Sequence, residues 1–250
     1  MTDRHDILGV IPARWASKRF PGKPLAMLKG KPLIQWVWER AIQVNGVSEW
    51  LVATDDPRVE DAVKQCGGIA VMTSSDHSSG TDRIAEVAKD RSEQMIVNIQ
   101  GDEPLLDPKA VEAMIGALNS DDGAAVGTAA FPIRSLEELD DPNVVKVSLD
   151  LNHRTLTFTR SALPYVRDQQ NRRSWIDRGI HYRHLGVYAY RREALFDFCR
   201  WKPGPLEQAE KLEQLRFLEH GIPIVCALID KGSPGVDTPE DLHQLITMIP

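Results

Sequence analysis

Ile7-Leu8-Gly9-Val10-Ile11-Pro12-Ala13-Arg14-Trp15-Ala16-Ser17-Lys18-Arg19-Phe20-Pro21-Gly22-Lys23-Pro24-Leu25 decides how this chain is read. The first five residues are an apolar run, the signature of a strand buried on both faces. Prolines and a glycine then interrupt regular structure. From Pro32 the apolar residues recur at Leu33, Val37, Ala41 and Val44, a helical period that opens on a proline. Strand, loop and helix in that order form the first unit of an open α/β sheet. Such sheets bind ligands at the carboxyl ends of their strands.

The loop is cationic on an acidic chain. The formal net charge is -6, yet no Asp or Glu occurs between Asp6 and Glu39. Arg14, Lys18, Arg19, Lys23, Lys29 and Lys31 all fall in that segment. Backbone amides of such a loop can cradle phosphates while Arg and Lys neutralise them. A triphosphate-binding loop and an ordinary solvated basic loop both fit the charge pattern alone.

The rest of the first half repeats the alternation. Trp50–Thr54, Ile69–Met72 and Met95–Ile99 read as strands. Pro57–Cys66, Thr81–Lys89 and Pro108–Leu118 read as helices. Alternating units with near-continuous apolar strands predict an α/β fold with a doubly wound, mostly parallel sheet. No Gly-x-Gly-x-x-Gly follows the first strand, which disfavours a dinucleotide-binding oxidoreductase. After Phe131 the pattern changes. Val144–Leu149 and Thr155–Thr159 read as paired strands, Asn171–Gly179 as a mobile polar loop, and Leu185–Tyr190 as a further strand. We read residues 133–183 as an inserted smaller β-containing region, and 1–132 with 184–250 as the α/β core. Pro205–Glu219 reads as one helix with Leu206, Ala209, Glu213 and Phe217 on its inner face, and Glu207 with Lys211 as an exposed pair. Asp237 leads into a last helix.

The chain has 250 residues, 42% hydrophobic and 26% charged, enough for a proper core. No apolar run approaches the roughly 20 residues that span a bilayer, so no stable membrane association is expected. The polar start leads straight into a strand and carries no visible signal peptide. Cys66, Cys199 and Cys226 are odd in number and widely spaced, as free thiols in a reducing compartment are. The acidic balance argues against nucleic acid as a partner.

Several carboxylates stand where chemistry is done. Asp102 follows the apolar strand Met95–Ile99 in Gln100-Gly101-Asp102-Glu103-Pro104, at the carboxyl edge of the sheet. A carboxylate there can hold Mg²⁺, which takes oxygen ligands; it can equally be a turn residue. Asp237 offers a second carboxylate or a helix cap. Glu213 in an apolar stripe must be paired, hydrogen-bonded or turned to a cavity, and the neighbouring Gln214 shares that choice.

The cationic loop resembles the signature loop of the cytidylyltransferases that activate 3-deoxy-D-manno-octulosonate (Kdo). So do Asp76-His77-Ser78-Ser79-Gly80-Thr81-Asp82-Arg83, Asn98-Ile99-Gln100-Gly101-Asp102-Glu103-Pro104 and His184-Leu185-Gly186-Val187-Tyr188. Pro205-Leu206-Glu207, Leu212-Glu213-Gln214-Leu215-Arg216 and Gly235-Val236-Asp237-Thr238-Pro239 continue the series. The blocks fall in family order over nearly the whole chain.

The resemblance implies a Rossmann-like nucleotidyltransferase fold and transfer of CMP from CTP to Kdo, with release of pyrophosphate. It implies a cytoplasmic step of lipopolysaccharide synthesis, carried out by a homodimer whose inserted region supports dimerisation. Asp102 and Asp237 would be joint Mg²⁺ ligands. Arg14, Ser17, Arg19 and Lys23 would hold the triphosphate, and Asp76, His77, Ser79 and Gly80 would lie near the base. Gln100, Arg160, Arg167, His184, Tyr188, Glu213 and Gln214 would face the sugar. Of the two arginines, Arg167 suits the Kdo carboxylate better. Another sugar nucleotidyltransferase, for example for an 8-amino analogue, and a non-catalytic nucleotide-binding module are the alternatives.

Overall fold

The computed structural model describes residues 6–16, 20–77 and 79–248. Its contacts divide it into two compact units. The first comprises Met1–Glu112, Arg191–Cys199 and Ser233–Pro250; the second comprises Ala113–Tyr190 and Arg200–Gly232.

In the first unit, strand β1 (Ile7–Ala13) is followed by a small hairpin of β2 (Met27–Leu28) and β3 (Lys31–Pro32), then helix α1 (Leu33–Ala41). Strand β4 (Glu49–Thr54), helix α2 (Pro57–Gln65), strand β5 (Ala70–Met72), helix α3 (Gly80–Lys89) and strand β6 (Met95–Asn98) complete the alternation. The strands lie in the order β6-β1-β4-β5, every pair parallel. Central β1 has Leu8, Val10 and Ile11 fully buried, which is why its sequence is apolar without alternation. It runs two residues beyond the apolar pentad and carries Pro12 in register with Ala53.

Local sequence accounts for the helix starts. Asp56 caps α2 by accepting the Arg58 N–H at 2.9 Å, and Ser79 caps α3 by accepting the Asp82 N–H at 3.1 Å. Helix α1 begins directly after Pro32 and buries Leu33, Ile34, Val37, Trp38 and Ala41. The last helix, Pro239–Met248, places Leu242 and Leu245 in a cluster with Leu28, Leu33 and Val236. That packing carries Val236 to Asp102, whose carbonyl accepts the Val236 N–H at 2.9 Å.

The second unit is built around strands β7 (Val126–Pro132), β8 (Lys146–Leu149), β9 (Thr155–Thr159), β10 (Tyr182–Arg191) and β11 (Ile224–Leu228). Strand β11 is parallel to β7. Strand β10 is antiparallel to β7 and β8, and β8 is antiparallel to β9. The expected insertion 133–183 lies inside this unit and has a small core of its own, Ile133, Leu139, Val144 and Trp175. The α/β class with a mainly parallel central sheet is therefore as expected.

Two local readings are corrected. Asn171–Gly179 contains a helical turn, Arg173–Ile176. Its Trp175 is buried and donates from Nε1 to the Gln169 carbonyl at 3.1 Å, so one apolar side chain anchors an otherwise polar stretch. Pro205–Glu219 is two short helices, Pro205–Glu210 and Leu215–Glu219, separated at Lys211, whose φ of 55° is left-handed. The break rotates the second segment, so the predicted face does not form. Leu206 and Glu213 are exposed, while Glu207 is buried. No helix among the described residues is long and apolar enough to cross a membrane.

Candidate active site

The first unit gathers charge where its strands end. The Lys23 ammonium lies 2.6 Å from Asp102 Oδ2 and 3.7 Å from Asp237 Oδ1, and it donates to the Val236 carbonyl at 2.9 Å. Three chain segments reach one point: the end of the cationic loop, the turn after β6 and the entry to the last helix. Gly101 makes this possible, because a Cβ there would sit 2.8 Å from the Pro12 carbonyl oxygen. Two carboxylates and a carbonyl around one cationic atom form an oxygen donor set of the kind a divalent cation takes. Asp102 and Asp237, the expected Mg²⁺ ligands, are thus brought to one point, and their oxygen chemistry fits such a cation. Glu103 is engaged with Ser233, whose hydroxyl donates to its Oε2 at 3.0 Å.

Arg14 follows β1 and is exposed. Ser17 and Arg19 lie outside the described residues. Gly80 lies against Pro12, with the Gln100 side chain beside it, so the ends of β1 and β6 and the start of α3 converge. Ser79 both caps α3 and donates to Asp82 Oδ2 at 2.9 Å. His77 pairs with Glu86, which holds the Glu86 carboxyl below its usual range. Asp76 is exposed next to it.

The second unit brings His184, Tyr188 and Glu213 into one neighbourhood. The His184 and Tyr188 rings are 5.4 Å apart, and the Phe158 ring meets His184 edge-on at 5.0 Å. Burial pushes the Tyr188 hydroxyl well above its ordinary pKa, and nearby Tyr190 and Glu213 add to the effect. Burial lowers His184 to about 3, so its imidazole is neutral at physiological pH. Its Nε2 is 2.8 Å from Thr128 Oγ1, which is also 2.8 Å from the Val187 carbonyl. A carbonyl only accepts, so the threonine proton goes to Val187 and His184 Nε2 carries a hydrogen. Nδ1 is then an acceptor, suited to a sugar hydroxyl. Gln214, beside Glu213, is buried.

The two candidate arginines differ sharply. Arg160 donates from Nε to the Glu210 carbonyl at 2.7 Å and from Nη1 to the Pro142 carbonyl at 2.8 Å. It ties two segments of the fold together. Arg167 is exposed.

Two further carboxylates, Asp55 and Glu207, hold ion pairs that the sequence reading did not anticipate. Asp55, at the end of β4, pairs with buried Arg83 at 2.9 Å and accepts the Trp15 N–H at 3.1 Å. Its position directly after a strand was the available signal, the one used for Asp102. Glu207, expected at the surface, forms a buried two-pronged pair with Arg216 at 2.7 and 2.5 Å.

The family profile described as Cytidylyltransferase matches residues 8–224. The 3-deoxy-manno-octulosonate cytidylyltransferase of Syntrophobacter fumaroxidans is 47% identical over 247 residues, spanning 97% of this chain and 96% of its own. That of Geobacter metallireducens is 48% identical over 244 residues, spanning 96% of each. Among solved structures, CMP:2-keto-3-deoxy-manno-octonic acid synthetase complexed with CTP superposes with a TM-score of 0.90 at 43% identity over 97% of both chains. A 4-diphosphocytidyl-2C-methyl-D-erythritol synthase from Anaerococcus prevotii, at 13% identity and TM-score 0.63, shares the fold. The chain therefore belongs to the 3-deoxy-manno-octulosonate cytidylyltransferase family.

Proposed function

We propose that this chain transfers CMP from CTP to the anomeric hydroxyl of Kdo. The hydroxyl oxygen attacks the α-phosphorus, its proton passes to solvent, the bond from that phosphorus to the α–β bridging oxygen breaks, and pyrophosphate leaves with its electron pair. The products are CMP-Kdo and pyrophosphate. The observation that carries the reading is the Lys23 ammonium seated on Asp102 and Asp237 at the edge of a parallel sheet. Its support from outside is the near-full-length identity to relatives of that name.

Arg14, Lys23 and, in the undescribed part of the loop, Arg19 neutralise the triphosphate and the leaving pyrophosphate. Reactions of this kind depend on positioning and electrostatic stabilisation. Asp102 and Asp237 would hold Mg²⁺, which when bound supplies positive charge beside the phosphate oxygens. With those carboxylates so engaged, the Lys23 ammonium would be available to phosphate oxygens. Asp76, His77, Ser79 and Gly80 are assigned to the base, and Gln100, His184, Tyr188, Glu213 and Gln214 to the sugar. Neutral His184 and charged Glu213 suit its hydroxyls, and exposed Arg167 suits its carboxylate. Arg160 acts by holding the fold. No side chain is assigned as general base.

We take the enzyme to be a cytoplasmic homodimer, with residues 133–183 contributing to the interface. Leu151, Leu156, Tyr165 and Ile180 are all exposed in that region. A solution mass measurement tests this. Activity is tested by pyrophosphate release with CTP or UTP, each paired with Kdo, its 8-amino analogue or a hexose 1-phosphate. Release confined to CTP with Kdo supports the reading. Preference for the amino sugar or for UTP replaces it with a sister activity, and no release in any pairing favours a binding module.

A further inference from the structure

The cationic loop has an anchoring system that lies outside its charged residues. Trp15 uses both of its backbone groups. Its N–H donates to Asp55 Oδ1 at 3.1 Å, and its carbonyl accepts the Gly22 N–H at 3.1 Å. The second bond draws the two ends of the loop together, with Arg14 just outside one end and Lys23 just outside the other. The Trp15 indole fills the neck. Gly22 has φ +71°, and a Cβ there would lie 2.8 Å from Trp15 Cη2. On the indole, the Arg58 guanidinium stacks 3.4 Å from the ring centroid.

Asp55 is fixed in turn. Its other oxygen, Oδ2, accepts from Arg83 Nη2 at 2.9 Å. The Arg83 side chain is only 3% exposed, and its Nη1 donates to Thr73 Oγ1. Thr73 is itself held by β4, its hydroxyl donating to the Thr54 carbonyl at 3.0 Å. A buried charge of this kind is costly unless fully partnered, so the Asp55 carboxylate has little freedom. The chain of contacts runs from the sheet through Arg83 and Asp55 to the Trp15 backbone, and from there to both ends of the loop.

We propose that Trp15, Asp55 and Arg83 are positioning residues that set the spacing of Arg14 and Lys23 for the triphosphate. None of the three touches the nucleotide in this account. The proposal rests on the reading of the loop as the CTP site. A loop free to open at its neck keeps its charge but loses its geometry, and small misplacements of positioning groups cost up to about a hundredfold.

The test compares Trp15→Ala, Trp15→Phe, Asp55→Asn and Lys23→Ala in the intact protein. Melting temperature, KM for CTP, KM for Kdo and calorimetric CTP binding are measured for each. Trp15→Ala is expected to raise the KM for CTP about tenfold or more and leave the KM for Kdo within twofold. Trp15→Phe, which keeps a ring in the neck, should recover most of the loss. Asp55→Asn should follow Trp15→Ala in direction. Stable Trp15→Ala and Asp55→Asn proteins with normal CTP binding would overturn the proposal if Lys23→Ala weakens CTP. If Lys23→Ala binds CTP normally as well, the nucleotide reading itself fails. Equal changes in both KM values, or a lowered melting temperature with normal kinetics, would assign these residues to folding and also overturn the proposal.

Discussion

The Lys23 ammonium and the Asp102 carboxylate are 2.6 Å apart, with Asp237 and the Val236 carbonyl on the same cation. One point in the first unit is thus built for positive charge. Removing either carboxylate's charge should remove the site without unfolding the sheet. Asp102→Asn and Asp237→Asn are expected to lower turnover on the order of a hundredfold or more. The Lys23 side chain is 14% exposed, Asp102 28% and Asp237 52%; an Asn at either position keeps an oxygen acceptor for the ammonium, so melting temperatures should move little. Near-normal turnover of either variant at ordinary Mg²⁺ would remove that residue from the site.

The Glu207–Arg216 pair gives a stability prediction. Both side chains are buried, and Arg216 also donates to the Trp201 carbonyl at 3.3 Å. Glu207→Ala leaves a guanidinium buried without its counter-charge and should cost about 3–5 kcal/mol. Denaturant unfolding of Glu207→Ala beside Glu210→Ala measures this. A loss below about 1 kcal/mol would mean the pair is solvated in solution.

Glu213 is exposed, at the turn between the two short helices. A carboxylate there can take charge-assisted hydrogen bonds from sugar hydroxyls, each worth roughly 1.5–3 kcal/mol. Glu213→Gln should therefore weaken Kdo use about ten- to a hundredfold and leave CTP binding and melting temperature alone. Saturation curves for both substrates decide it, and wild-type Kdo dependence would remove Glu213 from the sugar site.

His184 links structure to pH. Its folded pKa is depressed from 6.5 to about 3 by burial. Above pH 6.5 the imidazole is neutral in both folded and unfolded chains, and stability is unaffected. As pH falls from 6.5 toward 3, the unfolded chain takes up a proton that the folded chain refuses, and stability is lost. His184→Gln should lose less stability than wild type between pH 7 and pH 4, by urea titration at each pH. Parallel acid limbs for the two proteins would place His184 in contact with water.

The parallel sheet was legible because β1, β4 and β6 are buried on both faces and their apolar runs show it directly. Asp102 was legible because it follows one of those runs. The Pro205–Glu219 region was not. Periodicity assumes a continuous helix, and the left-handed Lys211 interrupts it, which exchanges the roles of Glu207 and Glu213. A lysine carries no signal for that conformation, as a glycine would. Asp55 was missed for a different reason. Its partners Trp15 and Arg83 are distant in sequence: the register of β1 against β4 brings Trp15 to it, and Arg83 reaches it from α3.

In the proposed reaction the sugar's anomeric oxygen becomes the bridge to the α-phosphorus of CTP. Kdo carrying ¹⁸O at the anomeric position, reacted with CTP and Mg²⁺ and resolved by mass spectrometry, tests it directly. The expected product is CMP-Kdo that retains the label, in equal amount with unlabelled pyrophosphate. A product without the label, or no CMP-sugar at all, would contradict it.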